Sequence, residues 1–142
     1  MIPVYRPLIG DEESKYVLEA LACGEISGSG GRFLEQFENR FAEYCDCKYG
    51  VATTSGTTAL HLACAVIGLR PGDEVLVSAS TNIATALAVT MQGAKVVPVD
   101  VEPDTWCMDL TQVRKHITLR TKAVIPVHLY GHPVEMDGLI AL

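Results

Sequence analysis

The sequence predicts an α/β protein with three layers, α/β/α, around a mostly parallel sheet. Short valine-rich segments alternate with longer apolar segments of helical spacing, which is typical of βαβ units. The valine-rich segments lack polar alternation, as expected for strands that are covered on both faces. Turn sequences such as Arg70-Pro71-Gly72-Asp73 separate the segments.

Composition restricts the class of protein further. The 142 residues suffice for one domain with a core, and a hydrophobic content of 49% excludes a disordered chain. The net charge of −6 and the scattered basic residues argue against nucleic-acid binding. No apolar run reaches about 18 residues, and the first residues do not resemble a signal peptide. We therefore expect no membrane span and a cytoplasmic location.

The cysteines and histidines do not predict a metal site. The five cysteines are odd in number and follow no CxxC spacing, so reduced structural thiols are expected. Cys64 lies in an apolar helical run and is interpreted as a small core residue. His128 and His132 are four residues apart, but Gly131 and Pro133 prevent a helical metal pair, and a third ligand is lacking.

The first part of the chain is predicted to be helical after an extended arm. Two prolines disfavour a helix within residues 1–10. An acidic first turn begins a helix at residue 11 that ends near residue 23. A loop with four glycines follows over residues 24–31 and is interpreted as a connector, with contact to a ligand or a neighbouring subunit as the alternative. Residues 32–44 form a second helix whose aromatic stripe is expected to face a core.

From residue 49 onward, strands and helices are predicted to alternate. The predicted strands cover residues 49–53, 74–78, 95–100 and 122–127. The predicted helices cover residues 57–69, 81–92 and 109–116, and a last helix begins at Asp137.

The segment Ser55-Gly56-Thr57-Thr58 is the candidate ligand site. It lies where a strand is predicted to lead into a helix, and the unpaired N–H groups and positive dipole of a helix start can hold a phosphate. Gly56 allows close approach of a ligand, and the hydroxyls can donate further hydrogen bonds. The alternative is that these residues only cap the helix. GxGxxG is absent, so a dinucleotide fingerprint is not supported, and without GxxxxGK[ST] the segment is not a P-loop for ATP.

Two further turns are expected beside this segment. Open parallel sheets bind ligands at the carboxyl ends of their strands. Gly56 and Thr57 follow the first predicted strand, Asn82 follows the second, and His128 follows the fourth. The sequence therefore predicts that three turns meet at one edge of the sheet. His61, alone on a helix, is assigned no catalytic role.

Several short motifs occur in a fixed order along the chain. They are Pro3 to Pro7 with Glu12, Ser27-Gly28 through Phe37-Glu38, Val51 to Leu60, Gly72-Asp73-Glu74-Val75, Gly93-Ala94 before Val97-Pro98-Val99-Asp100, and His128-Leu129-Tyr130-Gly131 with Pro133 and Met136-Asp137. In this order they resemble the DegT/DnrJ/EryC1/StrS family of sugar aminotransferases. The resemblance covers essentially the whole chain, but only the front portion of the family's length.

The resemblance implies a pyridoxal phosphate (PLP) enzyme of the aspartate-aminotransferase fold, with this chain as a truncated type I PLP-transferase large domain. Residues 1–31 would be its amino-terminal arm, helix and glycine loop, and residues 32–142 the front part of the PLP-binding large domain. Gly56 and Thr57, with Ser55, match positions that hold the PLP phosphate. Asn82 stands where the family usually has an aromatic residue that stacks on PLP. We expect Asn82 to line the site with weaker stacking, or only to begin the helix.

The resemblance also implies an activity. The whole enzyme would move an amino group from an amino acid, with glutamate expected, to a nucleotide-linked keto sugar, and it would be a homodimer. The glycine loop 24–31 would then reach the neighbour's site. The Schiff-base lysine is expected downstream of Leu142, so the chain would hold no catalytic residue and be inactive alone. The alternatives are a PLP-dependent sugar dehydratase, with histidine in place of that lysine, and a non-catalytic protein on the same fold.

Overall fold

The computed structural model describes residues 2, 3 and 5–142, so Met1 and Val4 of the predicted arm lie outside the described residues. Residue contacts divide the chain into two compact units, residues 1–52 and residues 53–142. The first unit holds two helices, and the second holds the sheet. The predicted division between residues 31 and 32 stays a prediction.

The two helices of the first unit have nearly the predicted bounds. They are α1, Asp11–Ala22, and α2, Arg32–Tyr44. The guanidinium of Arg32 connects the two helices and their loop, because it lies 2.5 Å from the Glu19 carboxylate and 3.3 Å from the Glu25 carboxylate. The described residues of the arm are non-helical, as predicted.

The aromatic stripe of α2 is not enclosed in a core, and this part of the prediction is wrong. Phe37 and Phe41 stack with ring centroids 5.6 Å apart, but each side chain is 54% exposed. The buried residue of this helix is Ala42. The spacing correctly predicts an amphipathic helix, but a unit of two helices has too few neighbouring elements to cover the stripe.

The strand predicted over residues 49–53 is absent from the described part of the chain, and that prediction is also wrong. These residues form an irregular loop in which Tyr49 and Val51 are exposed. The Ala52 N–H donates to the Glu38 carboxylate at 2.8 Å. This amide therefore bonds to a helix side chain, and a β-prone sequence without a neighbouring strand cannot form a ladder.

The second unit holds the sheet and the remaining helices. Its helices are α3 (Gly56–Val66), α4 (Ile83–Thr90), α5 (Leu110–His116) and α6 (Met136–Ile140). Its strands are β1 (Glu74–Ser78), β2 (Lys95–Val99) and β3 (Thr121–Ile125), and a short 3-10 turn covers Leu129–Gly131. These helices and strands lie where the sequence predicts them, within a few residues at their ends.

The three strands form one parallel sheet in the order β2-β1-β3. Val75 of β1 pairs with Val96 of β2 and with Ala123 of β3. Every residue of β1 is buried, because this central strand has a strand on each side and apolar packing on both faces. The parallel order places the carboxyl ends of all three strands at one edge of the sheet.

The sheet separates two hydrophobic clusters, which confirms the predicted three layers. Val75 and Val77 pack on one face with Cys64 of α3 and with residues of α4. Leu76, which points to the opposite face because side chains alternate along a strand, packs with Val113 of α5. Cys64 is a core residue, as predicted, and its burial raises the pKa of its thiol.

A buried carboxylate lies at the amino-terminal edge of the sheet. Glu74, the first residue of β1, accepts hydrogen bonds from Thr118 at 2.7 Å, from Lys95 at 3.1 Å and from Arg120 at 2.9 Å. These bonds, that of Thr118 above all, outweigh the effect of burial and lower the pKa of Glu74 to about 2. One carboxylate thus connects β1 to β2 and to the turn that leads into β3.

Candidate functional site

The predicted phosphate site lies at the amino terminus of α3, and its first residue caps the helix. The Ser55 hydroxyl accepts a hydrogen bond from the Thr58 N–H at 3.3 Å, and the Thr58 hydroxyl accepts one from the Ser55 N–H at 3.0 Å. This reciprocal pair is a capping box with threonine as its second member. The capping role, which the sequence offers as the alternative, is therefore confirmed for Ser55 and Thr58.

Capping leaves two backbone donors of this helix unused. Within the described part of the chain, the N–H groups of Gly56 and Thr57 donate to no carbonyl and to no side chain. A Cβ placed on Gly56 would meet no atom within 4 Å, so the space beside this glycine is open. The first turn of α3 also carries no acidic residue. Two open donors at the positive end of an 11-residue helix fit an anion such as a phosphate.

Asn82 caps the next helix. Its Oδ1 accepts a hydrogen bond from the Ala84 N–H at 3.0 Å, and its side chain is exposed. Just before it, Thr81 shares a hydrogen bond with the buried Thr85 at 2.8 Å, which holds the turn between β1 and α4. Asn82 therefore caps the start of α4, which confirms the prediction that it begins the helix. Its amide NH₂ stays open to solvent, and its role beside a cofactor stays a prediction.

The structure brings Asn82 and His128 to the same edge of the sheet. Asn82 follows the end of β1 by four residues, His128 follows the end of β3 by three, and these two strands are parallel neighbours. The sequence predicts Gly56 and Thr57 at this edge through a strand over residues 49–53, but these residues form a loop in the structure. Their place at this edge stays a prediction, although α3 packs in the same layer as α4.

His128 has a contact that sequence reasoning missed. Its Nδ1 accepts a hydrogen bond from the backbone N–H of Val134 at 3.0 Å, and Val134 is buried. Residues six apart do not share a face of a regular helix, so no sequence period predicts this bond. The only sequence signals are the histidine itself and the turn Gly131-His132-Pro133 that follows it. The imidazole is thereby fixed against the loop that follows β3.

The described residues form neither a metal cluster nor a membrane-spanning helix. Across residues 2–3 and 5–142, no three or more His, Cys, Asp or Glu side chains cluster closely enough to hold a metal ion. None of the helices in that part of the chain has the length and apolar character that crossing a bilayer requires.

The chain is similar to known proteins in sequence and in fold. The chain matches the DegT/DnrJ/EryC1/StrS aminotransferase family over residues 7–142. It is 47% identical over 139 residues to GDP-perosamine synthase of Caulobacter vibrioides, which covers 98% of this chain and 37% of the relative.

Two solved structures have the same fold as this chain. DesV of S. venezuelae superposes with a TM-score of 0.83 at 44% identity, over 92% of this chain and 36% of DesV. The GDP-4-keto-6-deoxy-D-mannose-3-dehydratase of E. coli, solved with hydrated PLP, superposes with a TM-score of 0.88 at 28% identity, over 98% of this chain and 37% of the dehydratase. The chain thus spans a little over a third of the length of these relatives. A match that extends from residue 7 to the last residue, together with the shared fold, makes this chain a member of the DegT/DnrJ/EryC1/StrS aminotransferase family.

Proposed function

We propose that the protein to which this chain belongs is a PLP-dependent aminotransferase that moves an amino group from an amino acid, with glutamate as the expected donor, to a nucleotide-linked keto sugar. The observation that carries the proposal is the pair of open N–H groups at Gly56 and Thr57, in a chain that belongs to an aminotransferase family. The name GDP-perosamine synthase, which belongs to the relative from Caulobacter vibrioides, supports a nucleotide-linked sugar as substrate.

In this proposal the residues of α3 hold the cofactor by its phosphate. The N–H groups of Gly56 and Thr57 donate to the phosphate oxygens, and the hydroxyl of Thr57 adds a third donor. Ser55 keeps the turn in shape through its capping box with Thr58. Asn82 lies beside the ring and covers less of it than an aromatic side chain does. PLP, when bound, supplies the electron sink for amino transfer.

The remaining parts of the proposal concern the whole protein. The lysine that carries PLP lies downstream of Leu142, so the residues of this chain bind and orient the cofactor without acting as the Schiff-base group. A homodimer, a cytoplasmic location and a contribution of residues 24–31 to a neighbouring site belong to the same proposal. They rest on the family resemblance and on composition.

A PLP-dependent sugar dehydratase is the second candidate. The E. coli dehydratase superposes on this chain at least as well as DesV does, with TM-scores of 0.88 and 0.83. The fold of this front portion therefore occurs in a dehydratase as well as in a chain of the aminotransferase family. Aminotransfer is favoured because the relative of higher identity, at 47%, is a GDP-perosamine synthase.

Replacement of Thr57 by valine tests the phosphate site. In the full-length protein, Thr57→Val should weaken PLP binding by roughly 1–3 kcal/mol, because it removes one hydrogen bond to a charged group and keeps the side-chain shape. The measurement is a PLP titration that follows the absorbance of the bound cofactor.

Thr54→Val is the matched control for this experiment. Thr54 is exposed on the preceding loop, and its hydroxyl contacts the Thr58 hydroxyl at 3.2 Å rather than the open amides. The PLP affinity of the Thr54→Val variant should equal that of the wild type. Equal affinity of Thr57→Val and wild type would show that the Thr57 hydroxyl does not bind the phosphate.

A further inference from the structure

The imidazole of His128 is held in one orientation. Its Nδ1 accepts the Val134 N–H at 3.0 Å, and the buried Val134 anchors that bond. The intervening backbone has a further contact, because the Cys107 thiol lies 3.5 Å from the His132 carbonyl oxygen and 3.7 Å from that of Pro133 and can donate to either. The ring is therefore hydrogen-bonded to a loop that contacts the buried Cys107.

This hydrogen bond also determines which ring nitrogen carries the proton. A nitrogen that accepts from a backbone N–H is unprotonated, so the neutral imidazole of His128 carries its proton on Nε2. Within the described residues, Nε2 has no hydrogen-bond partner, and the side chain is exposed. The loop thus presents one uncharged donor of fixed orientation.

The position of this donor points to the cofactor. His128 follows β3 and lies at the carboxyl edge of the sheet, at which Asn82 follows the neighbouring strand β1. Ligands of open parallel sheets bind at this edge. The ring of pyridoxal phosphate carries a phenolic oxygen that accepts hydrogen bonds, and a neutral donor of fixed orientation suits such an oxygen.

We infer that His128 contacts PLP and donates a hydrogen bond from Nε2–H to the phenolic oxygen of the ring. The inference rests on the proposed function, since it requires that PLP binds at this edge. It assigns two tasks to one side chain: Nδ1 holds the loop at Val134, and Nε2 holds the cofactor. The nearby His132 lacks the first task, because no backbone N–H among the described residues donates to its ring.

The substitution His128→Asn separates the two tasks. The asparagine Oδ1 can take the place of Nδ1 and accept from Val134, but no group remains at the position of Nε2. In the full-length protein this variant should bind PLP about tenfold more weakly or worse, as expected for a lost hydrogen bond to a polar oxygen. The absorption band of bound PLP should also shift, because the band reports the state of the phenolic oxygen.

Two variants complete the experiment. His128→Gln, whose amide NH₂ reaches the Nε2 position, should recover part of the band position. His132→Asn should leave both PLP affinity and the band unchanged. Wild-type affinity and an unshifted band in His128→Asn would overturn the inference while the proposed function stands. A wild-type protein that binds no PLP would overturn the proposed function and this inference with it.

A measurement on the wild type covers the case in which His128→Asn fails to fold. With ¹⁵N-labelled histidine, the Nε2 resonance of His128 should move when PLP is added, and that of Nδ1 should keep its unprotonated shift. An Nε2 resonance that stays in place after PLP has bound would overturn the inference.

Discussion

At the scale of single residues, one polar group can cap a helix without closing the site next to it. The first four N–H groups of a helix lack intrahelical partners. Ser55 satisfies the amide of Thr58, whereas the amides of Gly56 and Thr57 remain available. The capping box therefore orders the turn that the phosphate would meet. Glu74 shows the opposite arrangement, since its carboxylate is satisfied entirely by neighbouring side chains.

Replacement of Glu74 by glutamine should destabilise the protein in a pH-dependent manner. The folded state lowers the pKa of Glu74 from 4.5 to about 2, so its ionised form stabilises the fold above pH 4.5. This contribution falls as the pH drops from 4.5 towards 2, because the unfolded chain takes up the proton first. The urea midpoint of Glu74→Gln should therefore lie below that of the wild type at pH 7, and the difference should shrink at pH 3.

The exposed Glu43 provides the control for this titration. Glu43→Gln should leave the urea midpoint close to that of the wild type across the same pH range. A constant difference between Glu74→Gln and wild type from pH 7 to pH 3 would contradict a role for the ionised carboxylate.

At the scale of elements, β1 organises the second unit. It pairs with a strand on each side, and its side chains enter both hydrophobic clusters. Leu76 is completely buried between α5 and the sheet, together with Met108 and Val113. The Leu76 side chain therefore fills space between the sheet and α5 that no smaller side chain would fill.

Replacement of Leu76 by alanine should lower the free energy of unfolding by about 2–5 kcal/mol, because it removes buried methyl groups and leaves a cavity. Leu119→Ala makes the same chemical change at a fully exposed position and should alter stability by no more than about 0.5 kcal/mol. Chemical denaturation of both variants measures the two values. Similar losses in the two variants would contradict the central position of β1.

The elements also show where sequence patterns suffice. The bounds of α2 and β1 follow from apolar spacing and flanking turn residues, and the structure has them as predicted. Residues 49–53 are as rich in β-prone side chains as β1 is. They form no strand, because strand formation depends on a neighbouring strand that the local sequence does not specify. The exposure of Phe37 likewise depends on which elements lie nearby, whereas its helical period does not.

At the scale of the whole molecule, the candidate site combines local and long-range features. The donors at Gly56 and Thr57 follow from a Ser-Gly-Thr-Thr sequence before an apolar helix, and could be predicted. The fixed tautomer of His128 could not, because it depends on how the chain returns after β3 to place Val134 beside the ring. Asn82 and His128 share an edge because they follow β1 and β3, which are neighbouring strands of the sheet. The alternating sequence pattern predicts that the strands are parallel, but it does not predict their order.

The full-length protein should incorporate nitrogen into a nucleotide sugar. Supplied with PLP, ¹⁵N-glutamate and GDP-4-keto-6-deoxy-D-mannose, the sugar on which the dehydratase relative acts by its name, it should yield a ¹⁵N-labelled amino sugar detectable by mass spectrometry. A reaction without glutamate sets the background. A deoxy product that has lost oxygen and retains no ¹⁵N would instead identify a dehydratase.

The strand order has a practical consequence for work with these 142 residues alone. In the part of the chain described, β2 and β3 each have one side that pairs with no further strand. Pro98 removes a donor from β2, but β3 contains no proline, and its backbone remains a template for another chain. Dilute samples and light scattering should therefore accompany any study of the isolated segment, since the unpaired backbone groups of β3 can pair with a strand of another molecule.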